Sequence, residues 1–358
     1  MRGHSEYMEW AKTRSQARFN LASSGLAAFP LASLPVRLDD LEITGPSFYG
    51  YPPLQARLAA RCGVAEECVL PATGTSMANF LVMAALLEPG DEVLIEQPTY
   101  GPLVDAARFL RADLRRFPRR AEEDFRLDPD AVAAAITPRT RLVVVTNHHN
   151  PSGAHADEAT VRRVGEIGRA AGARVLVDEV YLEALTVLGL PRPSAFGLGP
   201  EFVVTSSLTK GYGLNGLRCG WALADPDLVR RMWGLDDLMG VVPAHPAERL
   251  SVAALDHLDL VVQRARRILE GNRAAANAFF ESRQDLRVAR VTTGMIAFPR
   301  LLHGDVETLA HVLREEHETT VVPGRFFEAP EHFRLAIGAA PETVTEGLAR
   351  LGAALDRL

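Results

Sequence analysis

The residues best suited to chemistry cluster in four short stretches. The first is Thr205-Ser-Ser-Leu-Thr-Lys-Gly-Tyr-Gly-Leu-Asn-Gly-Leu-Arg-Cys-Gly220. A lysine wrapped in small and hydroxyl residues is shielded from water, which lowers its pKa and makes it a nucleophile toward a carbonyl. Gly211, Gly213, Gly216 and Gly220 allow close approach of the backbone to a ligand. Taken alone, Lys210 reads equally well as a surface-loop lysine. In the second stretch, Val175-Leu-Val-Asp-Glu-Val-Tyr181, Asp178 ends a buried strand. It is either a cap for the next turn or a carboxylate that keeps a ring nitrogen protonated in a pocket. The third, Val145-Thr-Asn-His-His-Asn-Pro-Ser-Gly153, reads by itself only as a turn opened by Asn-Pro. The fourth, Pro71-Ala-Thr-Gly-Thr-Ser-Met77, opens a helix whose free N–H groups and dipole suit an anion. Many helices that bind nothing begin in the same way.

Positioning these groups requires strands that end together. Short β-branched runs at 92–96, 141–146, 174–177, 202–206 and 219–223 predict strands. Helical stretches at 75–87, 102–111, 129–136 and 157–171 lie between them, which implies crossovers and a mostly parallel sheet. Residues 227–238 and 247–282 read as helical, with Gly271 a bend or a join in the second. The pattern then changes to strands at 287–291, 295–298, 320–322 and 333–337, with helices at 306–317 and at the end. The expected architecture is a large α/β domain over residues 45–280 and a small α+β domain built from 1–44 and 281–358. A ligand would bind at the carboxyl ends of the large-domain strands.

Composition narrows the function. The chain has 358 residues, 47% of them apolar, and its 39 basic against 45 acidic side chains give a net charge of −6. The arginine-rich stretch from Arg108 to Arg120 is interrupted by apolar residues and followed by acids, so it reads as a solvated helix end or loop. No nucleic-acid partner is expected. Cys62, Cys68 and Cys219 offer neither a disulfide framework nor a zinc pattern, and no metal is expected at His148 and His149. Without a signal-peptide pattern or an apolar run near 18 residues, the expectation is a cytoplasmic protein not bound to a membrane.

Together and in this order, the four stretches resemble the fold type I pyridoxal-phosphate (PLP) enzymes, specifically the class I/II aminotransferase family. The similarity runs from Tyr49 to Gly338 through Asn-Pro-Ser-Gly, Asp-Glu-Val-Tyr and Ser-x-x-Lys-x-x-Gly-x-x-Gly-x-Arg. The resemblance implies a seven-stranded, mostly parallel sheet flanked by helices. It implies that Lys210 holds PLP as a Schiff base and moves protons, and that Asp178 pairs with the pyridine nitrogen. Asn150 and Tyr181 would bond the phenolic oxygen, and Tyr100 would stack on the ring. Gly74, Thr75, Ser76, Ser207 and Arg218 would hold the phosphate. Arg334 would grip the substrate carboxylate, with Asn150 and Gly25 beside it. Tyr49 would reach the phosphate of the partner subunit in a homodimer, with Tyr51 a rival for that role. The family departs here in Leu54, where glycine is frequent, and in His148 and His149, which are either loop fillers or groups near the substrate.

The activity the resemblance implies is transfer of the amino group of an L-amino acid to a 2-oxo acid. A PLP-dependent C–S lyase, another β-eliminating or oxidative PLP enzyme, and a non-catalytic PLP-binding regulator remain alternatives. Only Lys12 and Lys210 are lysines, so Lys210 is nearly the sole amine available for a Schiff base.

Overall fold

The computed structural model describes residues 4–358, and of Asp39 only its backbone. Seven strands form the main sheet: β1 (Val69–Thr73), β2 (Glu92–Gln97), β3 (Asp113–Pro118), β4 (Thr140–Thr146), β5 (Arg174–Asp178), β6 (Phe202–Ser207) and β7 (Cys219–Leu223). Their spatial order is β1-β7-β6-β5-β4-β2-β3. β7 alone runs opposite to the other six strands, antiparallel to both β1 and β6. This is the mostly parallel, seven-stranded sheet that the resemblance implies.

The central strands are nearly continuous apolar runs because both faces of the sheet are covered. Val143, Val145, Val175, Val177 and Val204 pack into one core. Leu142, Val144, Leu176 and Val203 alternate with them into another. The helices are α1 (Glu6–Thr13), α2 (Pro52–Cys62), α3 (Gly74–Leu86), α4 (Gly101–Phe109), α5 (Pro129–Ala135) and α6 (Glu158–Ala170). After them come α7 (Glu183–Val187), α8 (Pro226–Asp236), α9 (His245–Asp256), α10 (Leu258–Glu281), α11 (Val306–His317) and α12 (Pro341–Leu355).

Register delivers the site. Thr146 pairs with Asp178, and Asp178 pairs with Thr205, so β4, β5 and β6 end level. The antiparallel β7 starts at that same edge, with Cys219 opposite Thr73 and Gly220 opposite Ser207. The loops that follow β1, β4, β5 and β6 therefore emerge together.

Residues beyond α10 form short strands, Ile296–Ala297, Val322–Pro323 and Phe333–Ala336, in an antiparallel sheet beside α11 and α12. Phe19–Asn20 pairs in parallel with Thr319–Thr320, joining the N-terminal segment to this C-terminal unit.

Three expectations are corrected. The long helical stretch breaks at His257, between α9 and α10, and Gly271 lies inside α10 without bending it into two. The arginine-rich stretch contains β3, a strand at the sheet edge. The strand expected at 287–291 is Leu286–Arg287, paired with Arg300–Leu301.

Candidate active site

Lys210 stands in the loop between β6 and β7, and its Nζ donates to Ser24 Oγ at 3.0 Å. Burial, helped by the positive charges of Arg334 and Arg218 and opposed by Asp178, pushes its pKa down to about 8. The amine is thus close to the balance between base and acid at neutral pH.

Asp178 ends β5 and is 3% exposed. Its Oδ2 accepts from Asn79 Nδ2 at 2.8 Å and its Oδ1 from the Val180 N–H at 3.0 Å. Asn79 is itself oriented by Thr205, whose hydroxyl donates to Asn79 Oδ1 at 2.5 Å. Burial pushes the Asp178 pKa up to about 6, while these two donors and the Lys210 charge hold it from rising further. A buried carboxylate with so few donors is satisfied best by a cationic N–H.

After β4, the Thr146 hydroxyl donates to Glu96 Oε1 at 2.6 Å and accepts the Asn150 N–H at 2.9 Å. Glu96 also receives the Thr146 N–H at 2.8 Å and Arg119 Nη1 at 2.9 Å, a fully buried pair that fixes this turn. Asn150 Oδ1 accepts from Arg334 Nη1 at 2.9 Å. Because arginine is only a donor, that contact turns the amide oxygen toward Arg334 and leaves the NH₂ free to donate elsewhere.

Arg334, on the Phe333–Ala336 strand, is 1% exposed. Its other partners are the Tyr7 hydroxyl, 2.8 Å from Nη2, and the Ala22 carbonyl at 3.2 Å. Its Nε has no partner, and no carboxylate pairs with it among the described residues. A buried, unneutralised guanidinium is a site for a carboxylate.

The anion end is built by glycine. Gly74 opens α3 at φ +76°, and an added Cβ would fall 2.1 Å from Arg218 Nη2. A Cβ on Gly220 would fall 2.4 Å from the Gly74 carbonyl carbon. Only glycines let β7, the arginine and the helix start converge. The first N–H groups of α3, at Thr75 and Ser76, have no intrahelical acceptors. Ser207 is buried at the end of β6, its Oγ accepting the Thr209 N–H at 3.3 Å.

Met8, Ser24, Thr75, Ser76, Asn79, Tyr100, Thr146, Asn150, Asp178, Val180, Ser207, Thr209, Lys210 and Arg218 enclose one cavity of about 150 Å³. The hydroxyls of Thr75, Thr209 and Tyr181 are buried without partners. Burial pushes the Tyr181 pKa up to about 12. An acid for a ring nitrogen, an amine for a carbonyl, free hydroxyls and an anion cradle in one cavity fit a phosphorylated pyridine aldehyde, pyridoxal phosphate.

Tyr100 caps α4 beside this cavity, its hydroxyl 3.5 Å from Met8 Sδ. Gly25 does not line the cavity; its neighbour Ser24 does, while Gly25 packs against Gly338. Tyr49 is 56% exposed, edge-on to Trp233 and 3.4 Å from Asp237, away from the cavity of its own chain. Tyr51 packs on His245. His148 bonds to the Tyr181 carbonyl and the Thr293 hydroxyl, and His149 to Ser152 and the Pro98 carbonyl. Burial pushes the His148 pKa down to about 3 and that of His149 well below its usual value, so both rings are neutral. Sequence reasoning passed over Tyr7, Ser24, Asn79 and Glu96. Of these only Glu96, a charge within an apolar strand, carries a local signal.

The family model for aminotransferase class I and II matches residues 42–351. The chain is 32% identical to capreomycidine synthase of Streptomyces vinaceus, covering 96% of this chain and 91% of that one. It is 29% identical to an arginine–pyruvate transaminase of Pseudomonas aeruginosa over 80% of this chain and 75% of the relative. A PLP-dependent aminotransferase from Streptococcus suis superposes with a TM-score of 0.90 at 26% identity, covering 98% and 97% of the two chains. No helix among the described residues is long and apolar enough to cross a membrane. The chain belongs to the class I and II aminotransferase family and is a fold type I, PLP-dependent enzyme of the transaminase kind.

Proposed function

We propose that this enzyme moves the amino group of an L-amino acid to a 2-oxo acid, with Lys210 as the residue that binds PLP covalently and shuttles the proton. The observation that carries this reading is the Lys210 amine, with its pKa lowered to about 8, in one cavity with the buried Asp178. When bound, PLP supplies the electron sink that makes the substrate Cα–H acidic. Asp178 would keep the pyridine nitrogen protonated. The free NH₂ of Asn150 and the unpartnered Tyr181 hydroxyl would donate to the phenolic oxygen, with Tyr100 against the ring. Gly74, Thr75, Ser76, Ser207 and Arg218 would cradle the phosphate. Arg334 would bind the substrate carboxylate, and Gly25 would shape the adjoining wall.

Tyr49 of the partner subunit would complete the phosphate site in a homodimer. The exposed side chains Phe48, Leu238, Val241 and Val242 supply apolar surface for such an interface. We also propose the division into a large domain over 45–280 and a small domain over 1–44 and 281–358.

The similarity to a relative named capreomycidine synthase favours a second reading, in which the same residues serve an amino-acid-modifying reaction other than transamination. Mixing the holoenzyme with single amino acids, following the cofactor absorbance and analysing products separates the two. Stoichiometric 2-oxo acid, with the amino group recovered on an added acceptor, supports the transaminase. Release of ammonia, or a product that keeps its nitrogen, with the starting absorbance regenerated in the absence of acceptor, supports the second reading.

A further inference from the structure

We propose that Tyr7, on the N-terminal helix α1, is a second ligand for the substrate carboxylate, acting beside Arg334. This inference rests on the reading of Arg334 as the carboxylate site and extends it.

Arg334 has five N–H donors. Its three hydrogen bonds go to neutral oxygens: the Asn150 amide, the Ala22 carbonyl and the Tyr7 hydroxyl. The Ala22 carbonyl has no proton to give, and Asn150 presents only its amide oxygen to the guanidinium. The Tyr7 hydroxyl accepts from Nη2 at 2.8 Å and still carries a proton of its own. An incoming carboxylate that replaces or bridges this contact would meet a charged donor and a hydroxyl donor side by side. A hydrogen bond from the hydroxyl to an ionised oxygen belongs to the stronger class.

The setting of the ring supports the assignment. Tyr7 is 8% exposed, and its ring stands edge-on to Tyr100 at 5.5 Å and to Phe326 at 5.7 Å. The Arg334 guanidinium also lies 5.7 Å from the centre of the Tyr7 ring. These contacts hold the hydroxyl in place at little entropic cost. The next residue, Met8, lines the cavity beside Tyr100. On its outer flank Tyr7 lines an open groove together with Thr99 and Gly101. Tyr7 therefore stands between that outer groove and Tyr100 in the cavity wall.

The test uses Tyr7→Phe, which keeps the ring packing, and pairs each amino acid substrate with its uncharged carboxamide. Binding is read from the change in cofactor absorbance on titration, and turnover is read separately. We expect the dissociation constant and KM for the amino acid to rise about tenfold, ~1.4 kcal/mol, with kcat changed far less. For the carboxamide the penalty should shrink to about twofold or less. An unchanged dissociation constant overturns the inference. So does an equal penalty on both compounds, which would mark Tyr7 as a packing residue only. Arg334→Gln, run in parallel, separates the two levels. If it leaves the preference for the acid over the amide intact, the reading of Arg334 itself fails. If it abolishes that preference while Tyr7→Phe does not weaken it, only the role of Tyr7 fails.

Discussion

Replacing Asn79 with leucine should make the stability of the protein depend on pH in a way fixed by one carboxylate. The substitution keeps the branching and the number of heavy atoms of the side chain. It removes the amide that donates to Asp178 Oδ2 at 2.8 Å and the oxygen that accepts from Thr205. A hydrogen bond to a charged group contributes roughly 1.5–3 kcal/mol and one between neutral groups roughly 0.5–1.5. The ionised form of Asp178 therefore loses about 1–2 kcal/mol more than the protonated form. At about 1.36 kcal/mol per pH unit, its pKa moves up from about 6 to roughly 7. The direction of the linkage follows from the raised value. The folded pKa of about 6 lies above the ordinary 3.8, so the folded state binds this proton more tightly than the unfolded chain. Its contribution to stability falls as pH rises from about 4 to about 6 in the parent, and continues falling to about 7 in the variant. The gap between the two proteins should be wider at pH 8 than at pH 5 by about 1.4 kcal/mol. At roughly 2.1 cal/mol/K per residue this is about 2 °C in Tm. The assay is thermal unfolding of the cofactor-free protein at both pH values. A gap that is independent of pH, or narrower at pH 8, would refute the account of Asp178.

Lys210→Ala should abolish the visible absorbance of the bound cofactor, whereas Lys12→Arg should leave it intact; colour that survives in the first variant reassigns the attachment site. Gly220→Ala places a methyl 2.4 Å from the Gly74 carbonyl carbon and 2.7 Å from the Thr75 nitrogen. It should weaken cofactor binding at least tenfold in a spectral titration and lower stability by about 1–3 kcal/mol. Glu96→Ala strands the buried Arg119 guanidinium and should lower stability by about 3–5 kcal/mol in a urea titration, with Glu96→Gln less damaging.

What was legible in the sequence follows from how local each signal is. The Val-rich β4, β5 and β6 are buried on both faces and show it as unbroken apolar runs. The two edge strands were not foreseen. β1 contains Pro71, which is tolerated at a sheet edge but reads as a break. β3 carries Asp113, Arg115 and Arg116, charges that edge strands keep and that disguise a strand as a loop. The arrangement of Lys210, Asp178, Asn150 and Arg218 around one cavity was legible because each lies in a motif at a strand end. Asn79, Ser24 and Tyr7 were not, because each meets its partner from a distant part of the chain. Asn79 looks like any polar residue within an apolar helix until the fold brings it to Asp178, and Tyr7 sits in a segment with no motif at all.

The pairing of Phe19–Asn20 with Thr319–Thr320 divides the labour of the site between two pieces of protein. Lys210 and Asp178 are rooted in the large sheet, where seven strands fix their spacing. Tyr7, Ala22 and Arg334 are tied to one another and, through that short pairing, to the C-terminal unit. A hinge movement of that unit would carry Arg334, Ala22 and Tyr7 together as one jaw, leaving Asn150, Lys210 and Asp178 behind as the anvil. Cutting the chain after Asn20 would then leave the anvil whole and strip one tooth from the jaw.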